Sequence, residues 1–264
     1  MTRTAAPAVK EVLARLESMG DPANVAGMAR FSITPRTRVL GISMPSLRSL
    51  ARELGTDHRL AGGLWRSGIH EARVLATMVE DPGRVTEAQA GRWVRSLDSW
   101  DVCDQLCSNL LSHTPFAFDK AREWAGRERE FEKRAGFALM AALAVHAKDA
   151  SDRAFERFLP LIRREATDDR NFVRKAVNWA LRQIGKRNQR LHAAAIDTAE
   201  RIGRMDSRSA RWIASDALRE LRSDAVRSRL ARSIPAGSRT PARSSRGRSS
   251  AKGRAARPRS ARGA

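Results

Sequence analysis

The stretch RNFVRKAVNWALRQIGKR (residues 170–187) decides how this chain is read. Projected as a helix, Val173, Val177, Ala180 and Ile184 fall on one apolar arc, so the segment predicts an amphipathic helix. Trp179 lies more than a right angle from the centre of that arc. It shares its face with Lys175, Arg182 and Lys186, one and two turns away, and Phe172 stands close to the same face. A Trp among cations on a non-core face is unusual. Two readings follow. The ring and its neighbours meet a nucleic-acid backbone, or Trp179 packs under a neighbouring helix while the cations reach past it to water.

The same pattern extends outward in both directions. From Ala6 to about Leu230 one amphipathic segment follows another, and none alternates with the period of a strand. Predicted helices cover 7–19, 22–30, 45–54, 57–66, 69–80, 86–96, 100–111, 115–126, 130–147, 151–165, 170–187, 189–203, 207–222 and 223–232. Asp21-Pro22, Thr86, Thr114-Pro115 and Asp169 read as helix starts, and Gly20, Gly55 and Gly68 as stops. Residues 31–44 form the long irregular stretch of the body. Helix pairs of roughly 35–40 residues match the period of HEAT-type repeats. The expected fold is therefore all-α, an α-solenoid of antiparallel helix pairs with a concave basic face. A globular bundle is the competing arrangement.

Two further helices carry unusual residues. In 100–111, Val102, Cys103, Leu106 and Leu110 share the apolar side, while Trp100 and Asp104 are neighbours at its polar boundary. An indole beside a carboxylate can hold a cation. An Asp in the first turns also suits the helix dipole without any ligand. Cys103 and Cys107 lack the further ligands that a zinc site needs and read as core residues. In 130–147 the sequence from Ala135 onward is apolar nearly all round, which predicts a buried central helix. Arg134 at its edge needs an anion, either Glu130 or a phosphate.

Charge narrows the partner. The 264 residues hold 50 Lys and Arg against 29 Asp and Glu, a net charge of +21. Twelve of those cations and no acidic residue fall in 225–264, which leaves +9 on residues 1–224. The body is expected to span 1–232. Residues 233–264, rich in Ser, Arg, Ala, Gly and Pro, are expected to be a disordered basic tail, either a phosphate tether or a solubility segment. Two cysteines exclude a disulfide framework. Met1–Glu11 has no apolar signal region, and the longest apolar run, Ala135–Val145, is shorter than the roughly 20 residues that cross a bilayer. A soluble, cytoplasmic, monomeric protein with no membrane partner is expected. The sequence offers no Gly-rich phosphate loop, nucleophile elbow or metal-binding helix motif, so neither metal nor cofactor is expected.

Taken together, Ser99-Trp-Asp-Val-Cys-Asp104, Lys133-Arg-Ala135 and Val173-Arg-Lys-Ala-Val-Asn-Trp179-Ala-Leu-Arg182 resemble the AlkD-type DNA alkylation repair glycosylases, which are built from HEAT-like repeats. Met28-Ala-Arg30, Leu40-Gly-Ile42 and Pro45 are similar to that family too, and the likeness spans roughly residues 8–220. The resemblance implies excision of cationic alkylated purines, of the 3-methyladenine and 7-methylguanine type, from duplex DNA without base flipping. It implies nucleoid association through that DNA. Carried over, Asp104 would be the catalytic carboxylate, and Trp100 and Trp179 would pack against the deoxyribose and backbone. Arg134 would hold a phosphate, with Lys175, Arg182 and Lys186 extending the DNA contacts. A non-catalytic DNA- or RNA-binding module and a protein-interaction scaffold are the alternatives.

Overall fold

A computed structural model describes residues 8–232, and the expected basic tail lies outside the described residues. The chain opens with α1 (Val9–Ser18) and α2 (Pro22–Met28), followed by a 3-10 turn at Ala29–Phe31. There follow α3 (Met44–Leu54), α4 (His58–Arg66), α5 (His70–Val79), α6 (Glu87–Arg95) and α7 (Trp100–Gln105). The second half holds α8 (Ala117–Ala125), α9 (Glu130–His146), α10 (Asp152–Glu156), α11 (Leu159–Arg164), α12 (Asn171–Gly185), α13 (Gln189–Gly203), α14 (Arg208–Leu221) and α15 (Asp224–Arg232). Among the described residues there is no strand, and the one bridge pairs Arg38 with Ile69.

Helix signals in the sequence act where capping chemistry is complete. The Asp21 carboxylate accepts from the Ala23 and Asn24 amides, with Pro22 in the first turn of α2. Thr86 caps α6 through the Gln89 amide. Gly55 and Gly68 follow α3 and α4 with positive φ. Two expected caps fail. The Thr114 hydroxyl donates back to the Leu111 carbonyl, and α12 begins at Asn171 without a side-chain cap, so Asp169 does not open it.

The expected helix 151–165 is two helices, α10 and α11, and Pro160 explains the break. Its ring has no N–H and clashes with the carbonyl four residues back, at Glu156, where α10 ends. The expected helix 100–111 also divides. After α7 the chain widens into a π turn at Leu106–Leu110, then tightens into a 3-10 turn at Leu111–His113. Such π segments commonly re-aim side chains at functional sites.

Successive packing builds the solenoid. α5 packs on α7, α7 on α9, α9 on α12 and α12 on α14, while α4, α8 and α13 pair with α5, α9 and α14. The core follows this row. α9 is buried on all sides over Ala135–Ala144, which matches its unbroken apolar sequence. Gly136 permits the closeness of α8 and α9, because a Cβ there would lie 2.3 Å from the Ala125 amide nitrogen. Cys103 and Cys107 are buried, and burial pushes the Cys107 thiol well above its usual range.

The irregular stretch 31–44 is clamped onto this frame. The buried Glu71 carboxylate accepts from the Leu40 and Gly41 amides at 2.9 and 2.6 Å. Arg38 exchanges backbone hydrogen bonds with Gly68 and His70. Gly41 has φ +79°, and a Cβ there would lie 2.2 Å from the Asp21 carbonyl oxygen. Only glycine fits this crossing.

Candidate functional site

α7, α9 and α12 converge on one guanidinium. Arg134 donates from Nε and Nη2 to the two oxygens of Asp104, at 3.1 and 2.8 Å. Its Nη1 donates to the Phe172 carbonyl at 2.6 Å. Of the two partners expected for Arg134, Glu130 forms no salt bridge with it; within the protein its anion is the Asp104 carboxylate from α7. The two side chains are 6 % and 17 % exposed, so the pair is nearly dry while Asp104 keeps a thin open edge. Burial pushes the Asp104 carboxyl up, against the pull of Arg134. Burial also works against the Arg134 charge, but the field and hydrogen bonds of Asp104 hold the guanidinium protonated.

Asp104 is not the acid that serves the helix N-terminus. That place belongs to Asp101, which accepts from the Ser99 hydroxyl and pairs with the buried His70 Nε2 at 2.7 Å. Burial drives the Asp101 carboxyl up, but His70, the Ser99 hydroxyl and the Val102 amide together hold it below the usual range. With Asp101 at the dipole, the hydrogen bonds that orient Asp104 come from Arg134.

Above this pair lies a cleft of about 360 Å³, lined by Arg30, Phe31, Ser32, Trp100, Arg134, Phe172 and Lys175. The Trp100 indole N–H donates to the Phe31 carbonyl at 3.0 Å, and the Arg134 guanidinium sits 5.8 Å from the centre of the Trp100 ring. Phe31 is 69 % exposed at the rim, and Ser32 after it adopts φ +58°, a left-handed conformation uncommon for a side-chain-bearing residue. Phe172 stacks on Phe131 with ring centres 5.6 Å apart.

The expected site residues divide between two places. Trp100, Arg134 and Lys175 line the cleft; Asp104 is not among the lining residues and is tied to the cleft through its bonds to Arg134. Trp179 stands on the same α12 face as Phe172 and Lys175, half-buried against the core, and is not among the cleft-lining residues. Arg182 and Lys186 have partners within the protein. Both bind Glu220 on α14, and Asn178 adds a 2.7 Å bond to Asp216. Burial raises the Glu220 carboxyl, but Lys186 and Arg182 outweigh it and hold it low. This cluster ties α12 to α14. The sequence marked Arg30 only as part of the family-like Met28-Ala-Arg30 motif, without a site role, and did not reveal Phe31 or the His70–Asp101 pair. An aromatic in the one long irregular stretch was the available signal for Phe31.

Among the described residues no cluster of His, Cys, Asp and Glu could hold a metal ion. No described helix is long and apolar enough to cross a membrane.

No curated protein shows significant sequence similarity to the chain. One solved structure is similar over 81 % of this chain and 95 % of its own, with a TM-score of 0.68 and 19 % identity. It is described as representing a new family of proteins related to the HEAT-like repeat DNA glycosylases with affinity for branched DNA structures. That likeness establishes the HEAT-like helical fold. Residues 12–221 match the DNA alkylation repair enzyme family, and the span includes Trp100, Asp104, Arg134 and Trp179. The chain belongs to the DNA alkylation repair enzyme family.

Proposed function

We propose that this protein is a DNA N-glycosylase that removes cationic alkylated purines, of the 3-methyladenine and 7-methylguanine type, from duplex DNA. The observation that carries the reading is the Asp104–Arg134 pair, whose guanidinium lies against the Trp100 ring and lines a cleft that also presents Lys175.

The chemistry follows from the groups. An alkylated purine carries its own positive charge, so the electrons of the breaking N-glycosidic bond neutralise the departing base. Positive charge builds instead on the deoxyribose. A fixed carboxylate stabilises that charge, because it needs no reorganisation at the moment of reaction. Arg134 fixes Asp104 through two hydrogen bonds, and the Asp104 side chain stays 17 % exposed. Water then adds to the sugar carbon and passes its proton to the carboxylate or to solvent. Trp100 and Trp179 supply flat surfaces for the sugar and backbone. Lys175 and the N–H groups that Arg134 does not spend on Asp104 and Phe172 meet phosphate oxygens. A carboxylate delivered from the backbone side acts on a base that stays stacked, which avoids the unstacking cost of flipping.

A second reading is DNA binding without excision. The described affinity of the structural relative for branched DNA and the engagement of both Asp104 oxygens by Arg134 favour it. The test is base release from a duplex carrying a single 7-methylguanine, with protein in excess. Release above the spontaneous rate is expected. Full DNA binding with no release supports the second reading instead.

A further inference from the structure

A second basic site lies apart from the Trp100 cleft and shares no lining residue with it. This groove, about 820 Å³, is formed where α4, α5 and α6 meet. Its lining includes Arg59 and Arg66 from α4, Arg73 from α5 and Arg92 from α6. The floor is the Trp65–Trp93 stack, with ring centres 4.1 Å apart and planes 1° from parallel. The indole of Trp65 donates to the Ser96 hydroxyl at 3.1 Å, and the Arg73 guanidinium lies 5.6 Å from the centre of the Trp65 ring.

The arginines are not balanced from within. Arg59, Arg66 and Arg92 are exposed, and no carboxylate among the described residues forms a salt bridge with them. Arg73 reaches Asp98 at 3.5 Å, but the other Asp98 oxygen accepts from the Arg36 amide at 3.0 Å. The Arg73 Nε is buried with no partner. A ring of cations around a rigid aromatic floor calls for an anion with several oxygens. The floor also limits what that anion carries. Trp65 and Trp93 are 5 % and 7 % exposed and already stacked on each other, so neither offers a face to a base. The groove therefore suits a phosphate chain read without regard to sequence.

We propose that this groove is a second DNA-contact site, binding a phosphodiester backbone apart from the contacts made at the Trp100 cleft. The proposal rests on DNA being the partner, but not on excision. A small polyphosphate shares the same chemistry and is the outcome to be separated from it.

The experiment measures anisotropy of a fluorescein-labelled 24-base-pair duplex across a salt series. It compares wild type, Arg66→Gln/Arg92→Gln, and Arg153→Gln/Arg157→Gln, a pair of exposed arginines elsewhere that removes the same charge. Each lost phosphate contact lowers the salt slope by about 0.9, so the groove variant is expected to lose about 1.8. The control pair is expected to change far less. Equal behaviour of the two variants overturns the proposal. So does inorganic triphosphate that perturbs tryptophan fluorescence in wild type and not in the groove variant, while duplex affinity stays the same in both. Should the double variant lose helicity, Arg59→Gln alone is expected to lower the slope by about 0.9. Base release at saturating protein separates the two proposals. A groove variant with a lowered slope and a wild type that releases no base leaves the groove standing and removes excision. Normal release with an unchanged slope does the reverse.

Discussion

Arg134 on α9 holds both carboxylate oxygens of Asp104 on α7, thirty residues earlier, and with its third nitrogen the Phe172 carbonyl on α12. One side chain thus fixes the candidate carboxylate and joins three helices of the solenoid. The pair is nearly dry, so each member depends on the other. Losing one leaves a buried charge without compensation, which costs about 3–5 kcal/mol.

Arg134→Met is therefore expected to lower unfolding stability in urea by about 3–5 kcal/mol. The double variant Asp104→Leu/Arg134→Met is expected to be less destabilised than the sum of the single variants, because it leaves no orphaned charge. Additive losses would mean that the two residues are not coupled.

The acid sensitivity of the fold should report Asp101. Its carboxyl is held below the usual range by His70, Ser99 and the Val102 amide, against the upward push of burial. A depressed native value means stability that is present above the unfolded value, about 3.9, and is lost as pH falls through the native one. Replacing His70 by Gln removes a partner, so unfolding followed by circular dichroism should begin at a higher pH. An unmoved acid midpoint would show that His70 does not hold Asp101. For Asp104 the direction is opposite, because burial raises its carboxyl. The acid limb of base release should lie above about 3.9.

Gly41→Ala should damage the site from a distance. The added Cβ meets the Asp21 carbonyl at 2.2 Å at a positive φ. Strain of this kind costs about 1–3 kcal/mol. The segment that carries Phe31 should loosen, which is read as faster amide hydrogen exchange across residues 31–42. Unchanged exchange and an unchanged melting temperature would contradict the clamp.

Glu220 masks Arg182 and Lys186. Glu220→Gln removes the anion that both cations share and leaves them in place, with Asp216 still 3.6 Å from Arg182. If these cations face DNA, the variant should bind duplex more tightly, with a salt slope steeper by up to about 1.8. Weaker binding with a lower melting temperature would assign the cluster to the α12–α14 contact alone.

The helices were legible in the sequence wherever one local signal sufficed. The apolar arc of α12 and the unbroken apolar run of α9 both predicted their burial. The division of 151–165 was missed although its signal was present, since Pro160 removes an N–H and clashes with the preceding turn. The π turn after α7 was not legible, because the apolar spacing of Leu106, Cys107 and Leu110 also fits an α-helix. At the site, residue types were readable and their partners were not. Asp104 finds Arg134 across thirty positions, and Trp100 finds the Phe31 carbonyl across 69. No periodicity encodes pairings of that range, which depend on how α7, α9 and the 31–44 segment pack.

The proposed role of the Asp104 carboxylate is to stabilise charge on the sugar as the base departs. Its most direct test is single-turnover release of 7-methylguanine from duplex DNA by wild type and Asp104→Asn, each at saturating protein and with DNA binding and helicity confirmed. Loss of a fixed charge stabiliser is expected to slow release by roughly 10²- to 10³-fold while duplex affinity changes little. An Asp104→Asn protein that stays folded, binds the duplex and releases the base as fast as wild type would contradict the account.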